Sequence, residues 1–194
     1  MEATNVADNR FRDVITTESE LRRIVGSPNR WMTSRILHRL DQKCRRFIAN
    51  SPCVVVGSVG AGGLIDVSPK GDPPGFVQVL DDWTLVLPDR AGNRRVDTLC
   101  NVLANPQVGL IFLVPGRRET LRVFGRAVIV RDQEVRKMVA GGDRTPELAL
   151  VVAVERAFFH CSRCITRSKL WDFTNGTVGT ASSFEAVRFP AISE

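Results

Sequence analysis

The stretch WTLVLPDRAGNRRVDTLCNVLANPQVGLIFLV, Trp83 to Val114, carries the pattern that decides the fold. A short β-branched run ends at Pro88, and a turn containing aspartate, glycine and asparagine follows. Apolar residues then recur at helical spacing from Val96 to Leu103, and Asn105-Pro106 ends this helix before a second β-branched run begins. The pattern therefore predicts one short helix inserted between two strands.

The same stretch places two adjacent cations, Arg94 and Arg95, at the predicted first turn of that helix. Cations there oppose the helix macrodipole at a cost of about 0.3–1 kcal/mol each. The side chain of Asn93 is predicted to cap the helix, whose free backbone N–H groups form an anion site that arginine forks complete for phosphate. Lys70, at the end of an earlier predicted strand, is either an edge-strand lysine that limits aggregation or a further cation aimed at the same anion. From these residues alone, solvated surface and a phosphate site both remain open.

The rest of the chain continues the strand pattern on both sides. Short β-branched runs broken by Gly, Asp and Pro predict six or seven mostly antiparallel strands in a barrel or sandwich. The glycine cluster Gly57–Gly63 lacks the spacing of a phosphate-binding loop, so a hairpin turn is the better interpretation. At the N-terminus, Thr17 and Gly26 predict a helix over about 18–25, and a second helix is predicted from Ser27-Pro28 to Asn50.

The length and composition of the chain limit its possible domain organisation. It has 194 residues, 43% of them hydrophobic, and a net charge of +6. We predict a disordered segment over 1–16, one domain over 17–176 and a C-terminal tail over 177–194. The chain has neither an apolar run of roughly 18 residues nor a secretion signal, so it is expected to be cytoplasmic, with no membrane partner.

Residues that usually carry other chemistries are sparse or scattered. The arginines form no polybasic run and tyrosine is absent, so no nucleic-acid partner is expected. His38 and His160 belong to no hydrolase or zinc arrangement. Cys161 and Cys164 form a single C-x-x-C pair, which we interpret as ordinary thiols near a helix start, and no metal site is predicted.

Three motifs make the sequence resemble a known family: SPKGDPPGF from Ser68, PDRAGNRR from Pro88 and RSKLW from Arg167. Over about residues 18–172 the chain resembles the pyridoxamine 5′-phosphate oxidase-like, FMN-binding split-barrel proteins, and within them an uncharacterised bacterial branch. The resemblance implies a mainly β (α+β) fold, namely a six-stranded antiparallel split β-barrel with N-terminal helices and one inserted helix. It also implies a homodimer with FMN bound at the subunit interface.

The resemblance further assigns residues to the cofactor. Lys70 matches a lysine that contacts the flavin, and Arg94 with Arg95 matches the basic residues that hold the phosphate. Because the helix is about one turn longer than in the oxidases, Thr98 is a further phosphate candidate. The remaining implied cofactor residues are Leu87, Pro88, Asn93, Thr120, Arg167, Ser168 and Trp171.

The C-terminal segment departs from the true oxidases. No Arg-x-His-Asp-Arg-type segment that would grip a pyridoxal substrate follows Trp171. We therefore expect an FMN-dependent oxidoreductase acting on an unknown small substrate, and no catalytic residue is assigned. The alternative is a non-catalytic module on the same scaffold that binds flavin, the deazaflavin F420 or haem, or senses redox state.

Overall fold

The computed structural model describes residues 11–28, 34–92, 94–142, 144–160 and 162–172. By its internal contacts the chain divides into two units, residues 1–35 and 36–194. The helices of the described residues are α1 (Glu18–Val25), α2 (Gln42–Ala49), α3 (Asp97–Ala104), α4 (Gln133–Met138) and α5 (Arg163–Ser168). The strands are β1 (Cys53–Val59), β2 (Ile65–Gly71), β3 (Gln78–Val79), β4 (Thr84–Pro88), β5 (Gln107–Leu113), β6 (Thr120–Val130) and β7 (Ala149–His160).

In the first unit, helix α1 begins and ends where its sequence signals predict. The Thr17 hydroxyl accepts a hydrogen bond from the backbone N–H of Glu20 at 3.2 Å. Gly26 adopts a φ of 77°, and its N–H donates to the Arg22 carbonyl. Both bonds satisfy backbone groups that a helix end otherwise leaves unpaired. The predicted helix over 18–25 is confirmed.

The second predicted helix is much shorter than the sequence pattern indicated. Leu37 exchanges backbone hydrogen bonds with Ala157 of β7, at 2.9 and 2.8 Å, and these bonds hold it in a bridge rather than a helix. Helix α2 begins only after Asp41, whose carboxylate accepts the N–H of Cys44 at 2.7 Å. The prediction of a continuous helix from Ser27 to Asn50 was therefore wrong over residues 34–41, and residues 29–33 lie outside the described part.

The seven strands of the second unit form one antiparallel sheet in the order β2-β1-β5-β6-β7-β4-β3. The sheet is not closed into a full barrel. Its architecture confirms the predicted mainly antiparallel α+β split-barrel fold class. The family resemblance implied six strands and the residue pattern predicted six or seven; the sheet has seven, including the two-residue strand β3, where Gln78 pairs with Val86 and Val79 with Leu85.

One face of the sheet, together with helices α2 and α3, encloses the main hydrophobic core. Alternate residues of β1, β5 and β6 point into it, as the period of two in their sequences requires. Helix α2 covers this core with Cys44 and Ile48, and α3 contributes Leu99 and Val102. The inserted helix is thus held in place by burial of its apolar stripe.

The glycine cluster lies in the β1–β2 hairpin. The N–H of Gly60 donates to the Leu64 carbonyl at 2.9 Å, and the N–H of Gly63 donates to the Gly60 carbonyl at 3.0 Å. Gly63 has a φ of 76°, which glycine adopts without steric cost. The hairpin interpretation is confirmed. None of the described helices has the length and apolar character needed to cross a bilayer.

Candidate ligand-binding cleft

A cleft of about 1440 Å³ opens beside the inserted helix. It exceeds the roughly 300–1,000 Å³ of ordinary small-molecule pockets. Four described segments line it: residues 66–76 from β2 onward, 88–92 after β4, 94–99 into α3, and 140–147 without residue 143. The cleft therefore lies where the loops after β2 and β4 meet the start of α3.

The loop before α3 differs from the sequence prediction. The helix begins at Asp97, so Arg94 and Arg95 precede its first turn. Both Arg94 and Val96 are left-handed, with φ values of 59° and 50°, and such a backbone cannot continue an α-helix. The predicted cap, Asn93, lies outside the described residues, and Val96 occupies the N-cap position without a side-chain hydrogen bond. The first N–H groups of α3 therefore face the cleft without a side-chain cap.

Two cations in this wall differ in their partners. The Arg95 guanidinium pairs with the Asp97 carboxylate at 2.8 Å, and both side chains are largely exposed. Arg94 makes no side-chain hydrogen bond or ion pair within the described part of the chain. Lys70, at the end of β2, makes one long bond from its Nζ to the Ser68 hydroxyl, at 3.4 Å. Arg94 and Lys70 are thus the cations available to an anion in the cleft.

Thr98 joins α3 to β2 rather than pointing freely into the cleft. It is buried, and its hydroxyl donates to Asp66 Oδ2 at 3.1 Å. One turn later, the Asn101 amide donates to the buried Ser58 hydroxyl at 3.0 Å. These bonds fix the start of α3 against the β1–β2 hairpin. The sequence reasoning missed Asp66 and Asn101 because their partners are 32 and 43 residues away.

A second polar network holds the opposite wall. Arg90 Nε lies 2.6 Å from Asp72 Oδ2, and both side chains are mostly buried. The guanidinium also lies against Gly141, where an added Cβ would come within 2.7 Å of Nη2. Three separate segments are joined by this one side chain. The motifs GDPP and PDR contain Asp72 and Arg90, but only the folded chain reveals that they pair.

Asp89 is the acid of the described cleft lining whose side chain has no partner there. Its backbone N–H is fixed to the Leu148 carbonyl at 3.0 Å, directly after β4. The other acids in the described lining all have partners, whereas the Asp89 carboxylate has none in the described residues. Burial raises the pKa of Asp89 above 3.8, and the positive charge of Lys70 opposes that shift. A half-buried, unpaired carboxylate in a cleft is a candidate functional group.

The structure brings together some of the predicted cofactor residues and separates others. Lys70, Pro88, Arg94, Arg95 and Thr98 all line the cleft. The remaining described candidates do not line the cleft. Leu87 is buried in the core, and Thr120 pairs with His160 on β7. The other three donate side-chain hydrogen bonds to backbone carbonyls: Arg167 to Arg163, Ser168 to Ile165 and Trp171 to Arg117.

The described residues contain no group of three or more His, Cys, Asp or Glu side chains arranged to hold a metal ion. Cys164 is exposed on α5, close to the start of that helix as predicted. Its sequence partner Cys161 lies outside the described residues. The chemistry of the cleft therefore rests on its cations, its acids and the start of α3.

Comparison with known proteins agrees with the fold and identifies the family. Residues 40–161 match the family model described as pyridoxamine 5′-phosphate oxidase, which is more than half of the chain. The protein belongs to this family. No curated protein sequence matches the chain significantly.

Two solved structures share the fold. HupZ from Group A Streptococcus is 23% identical with a TM-score of 0.51, and the alignment covers 61% of this chain and 92% of HupZ. A protein from Lactobacillus delbrueckii, provisionally named a pyridoxamine 5′-phosphate oxidase, is 21% identical with a TM-score of 0.50. That alignment covers 63% of this chain and 95% of the other.

Proposed function

We propose that the protein is an FMN-binding flavoprotein that acts as an oxidoreductase on a small substrate. The observation that carries the proposal is the wall of the cleft at the start of α3. There Arg94, which has no side-chain partner among the described residues, lies beside a helix N-terminus without a side-chain cap, and Lys70 lines the same cleft. Backbone N–H groups at a helix start and arginine forks are the donors that suit a phosphate monoester.

The phosphate and the ring would occupy different parts of the cleft. Arg94 and the first N–H groups of α3 would hold the phosphate, while the paired Arg95 and Asp97 add no net charge there. Lys70 and Pro88 would border the ring. Leu87 would support this strand end from the core rather than touch the ring, since it is 1% exposed. Bound FMN would supply the hydride or electron chemistry, and the chain would bind and orient it.

The same proposal includes a homodimer. Edge strand β2 carries two exposed apolar side chains: Ile65 is 75% exposed and Val67 64%. Exposed apolar surface at a sheet edge commonly marks a protein interface. In a dimer, the partner subunit would supply to the flavin the residues that lie outside the cleft of their own chain: Thr120, Arg167, Ser168 and Trp171.

The described lining of the cleft favours flavin over haem. Haem iron takes an axial His, Cys, Met or Tyr ligand, and the lining residues that the structure describes include none of these. F420 is also a phosphate-bearing flavin analogue, so the cations of the cleft suit it as well. Direct comparison of the three cofactors therefore belongs in the test.

The test is to titrate the purified protein, stripped of any ligand, with FMN, F420 and haem in separate experiments. Flavin fluorescence and visible absorption would report binding, and size-exclusion chromatography with light scattering would report the oligomeric state. We expect one FMN per chain in a dimer, with weaker binding of F420 and haem. A chain that gains no FMN would refute the proposal. Reduction of the bound flavin by NADH or NADPH would distinguish an enzyme from a non-catalytic flavin module.

A further inference from the structure

A second, smaller cavity of about 340 Å³ lies away from the cleft. It is formed by one face of α2, the turn between β5 and β6, and the end of β7. It shares no lining residue with the cleft, and its volume falls within the range of roughly 300–1,000 Å³ for small-molecule sites. We call this cavity the basic pocket.

The floor of the basic pocket is aromatic. The rings of Phe47 and Phe159 pack edge to face, with centroids 5.4 Å apart and an interplanar angle of 82°. Lys43 Nζ lies 4.2 Å from the centroid of the Phe159 ring. Both phenylalanines also pack against the main core, so the floor is a fixed surface. Such a floor suits a flat apolar group, because aromatic side chains bind rings by stacking and edge contacts.

The rim of the basic pocket is positively charged. Lys43, Arg46 and Arg117 line it together with one acid, Glu119. None of the three cations forms an ion pair with any residue that the structure describes. Like charges around a concave surface repel one another and focus a positive potential into it. A bound anion would relieve that repulsion.

The position of Arg117 is set by its backbone. Its N–H donates to the Val114 carbonyl at 3.0 Å, and Gly116 has a φ of 77° in the same turn. The Arg117 carbonyl accepts the indole N–H of Trp171 at 2.7 Å. The backbone of the rim at Arg117 is therefore held on two sides, by the turn and by the segment after α5. A fixed backbone at this position lowers part of the ordering cost of binding.

We propose that the basic pocket is a second ligand site, which binds a small organic anion with a flat apolar body. Lys43, Arg46 and Arg117 bind the oxyanion, and Phe47 with Phe159 contacts the apolar body. A carboxylate and a phosphate ester share this chemistry. The site goes beyond the proposed flavin function and does not depend on it.

The test is isothermal titration of the FMN-saturated protein with phenyl phosphate, benzoate and inorganic phosphate in turn. We expect phenyl phosphate or benzoate to bind more tightly than inorganic phosphate, because only these two offer a ring to the floor. The stronger of the two identifies the oxyanion. Lys43→Ala and Arg117→Ala should each weaken that binding about tenfold, since each removes a charge-assisted contact. Arg126→Ala, which removes an exposed arginine outside both cavities, should leave it unchanged.

Further variants distinguish binding in the basic pocket from binding in the cleft. Arg94→Ala alters the cleft alone, so it should leave binding of the ring-bearing probe unchanged. Should the protein fail to bind FMN, the same titrations in the Arg94→Ala variant still test the basic pocket. Lys43→Glu, which reverses the charge of an exposed side chain, should abolish binding while the melting temperature stays close to that of the unmodified protein. Absence of binding by all three probes, or equal affinity in Lys43→Ala and the unmodified protein, would overturn the proposal.

Discussion

Gly125 lies where β6 and β7 change register, and replacing it with alanine should break the largest pairing in the sheet. Phe124 pairs with Arg156, but Gly125 pairs with Val154, so one residue of β7 is skipped between them. An added Cβ at Gly125 would lie 2.9 Å from the Ala153 carbonyl carbon and closer still to its oxygen. Those atoms belong to the backbone and cannot rotate away.

The expected cost follows from that geometry. Real Cβ atoms essentially never approach another heavy atom within 3.0 Å, so β6 and β7 must separate. We expect Gly125→Ala to lower the free energy of unfolding by about 4 kcal/mol or more, the range of the severe single substitutions. At about 2–4 °C per kcal/mol for a chain of this size, the melting temperature should fall by about 8–16 °C.

Gly57→Ala is the matched control. Gly57 also lies inside a strand, but an added Cβ there would be 3.6 Å from the Gly109 carbonyl oxygen, which is ordinary contact. This variant should be neutral or more stable by about 0.4–1 kcal/mol, because alanine restricts the unfolded chain more than glycine does. Urea unfolding followed by circular dichroism measures both variants. Equal unfolding midpoints for the two would show that the close approach at the bulge does not determine stability.

Three further predictions concern the cleft. Arg94→Ala should weaken FMN binding at least about tenfold in a fluorescence titration, because a hydrogen bond to a charged group contributes about 1.5–3 kcal/mol. The double variant Arg95→Ala/Asp97→Asn removes an ion pair with no net charge, so it should weaken FMN binding less than Arg94→Ala does. A larger loss of FMN affinity in the double variant would contradict our assignment of Arg94 as the phosphate ligand. Asp89→Asn should raise the melting temperature at pH 7, since the raised pKa means that the charged form costs folded-state stability. That gain should disappear as the pH falls below 3.8, where Asp89 is protonated in both states, and a gain that persists there would refute this cause. Thr98→Val should lower the free energy of unfolding by about 1–3 kcal/mol in urea, because its carboxylate partner on β2 loses a donor, and an unchanged midpoint would show that the bond is not needed.

The elements that the sequence predicts well are those fixed by local signals. Thr17 and Gly26 satisfy the ends of α1 through bonds to residues three and four positions away. The β1–β2 hairpin follows from glycines that can adopt a left-handed backbone within the turn itself. The inserted helix follows from an apolar stripe that needs only one face to be buried. The signals that predict these elements all lie within the elements or directly beside them.

The sequence prediction fails where a distant hydrogen-bond partner determines the backbone conformation. The sequence between Pro28 and Asp41 has a helical period, but the bridge between Leu37 and Ala157 takes its hydrogen bonds to a strand 120 positions away along the chain. Residue spacing contains no information about that partner.

The residues of the candidate site likewise fall into those that the sequence could predict and those that it could not. Arg94 and Arg95 could be singled out because charge at a predicted helix start is visible in the sequence, and Lys70 because it ends a predicted strand. The bonds from Arg90 to Asp72 and from Thr98 to Asp66 could not, because each joins segments that only the sheet topology brings together. Asp89, the acid of the described lining without a side-chain partner there, stands out only after the partners of the other acids are known.

Several locally unfavourable features occur together between Asp89 and Asp97. They are a half-buried carboxylate and an arginine that have no side-chain partner among the described residues, a β-branched residue in the left-handed region, and a helix start without a side-chain cap. A left-handed backbone at Val96 alone costs on the order of 1–3 kcal/mol. A surface loop selected only for stability would avoid each of these, since glycine at position 96 and a serine or aspartate cap are simple changes. Natural proteins tolerate such local costs mainly where a ligand offsets them. An anion bound at this segment would pair with Arg94 and accept hydrogen bonds from the first N–H groups of α3. The segment is therefore better explained as part of an anion-binding site than as a connecting turn.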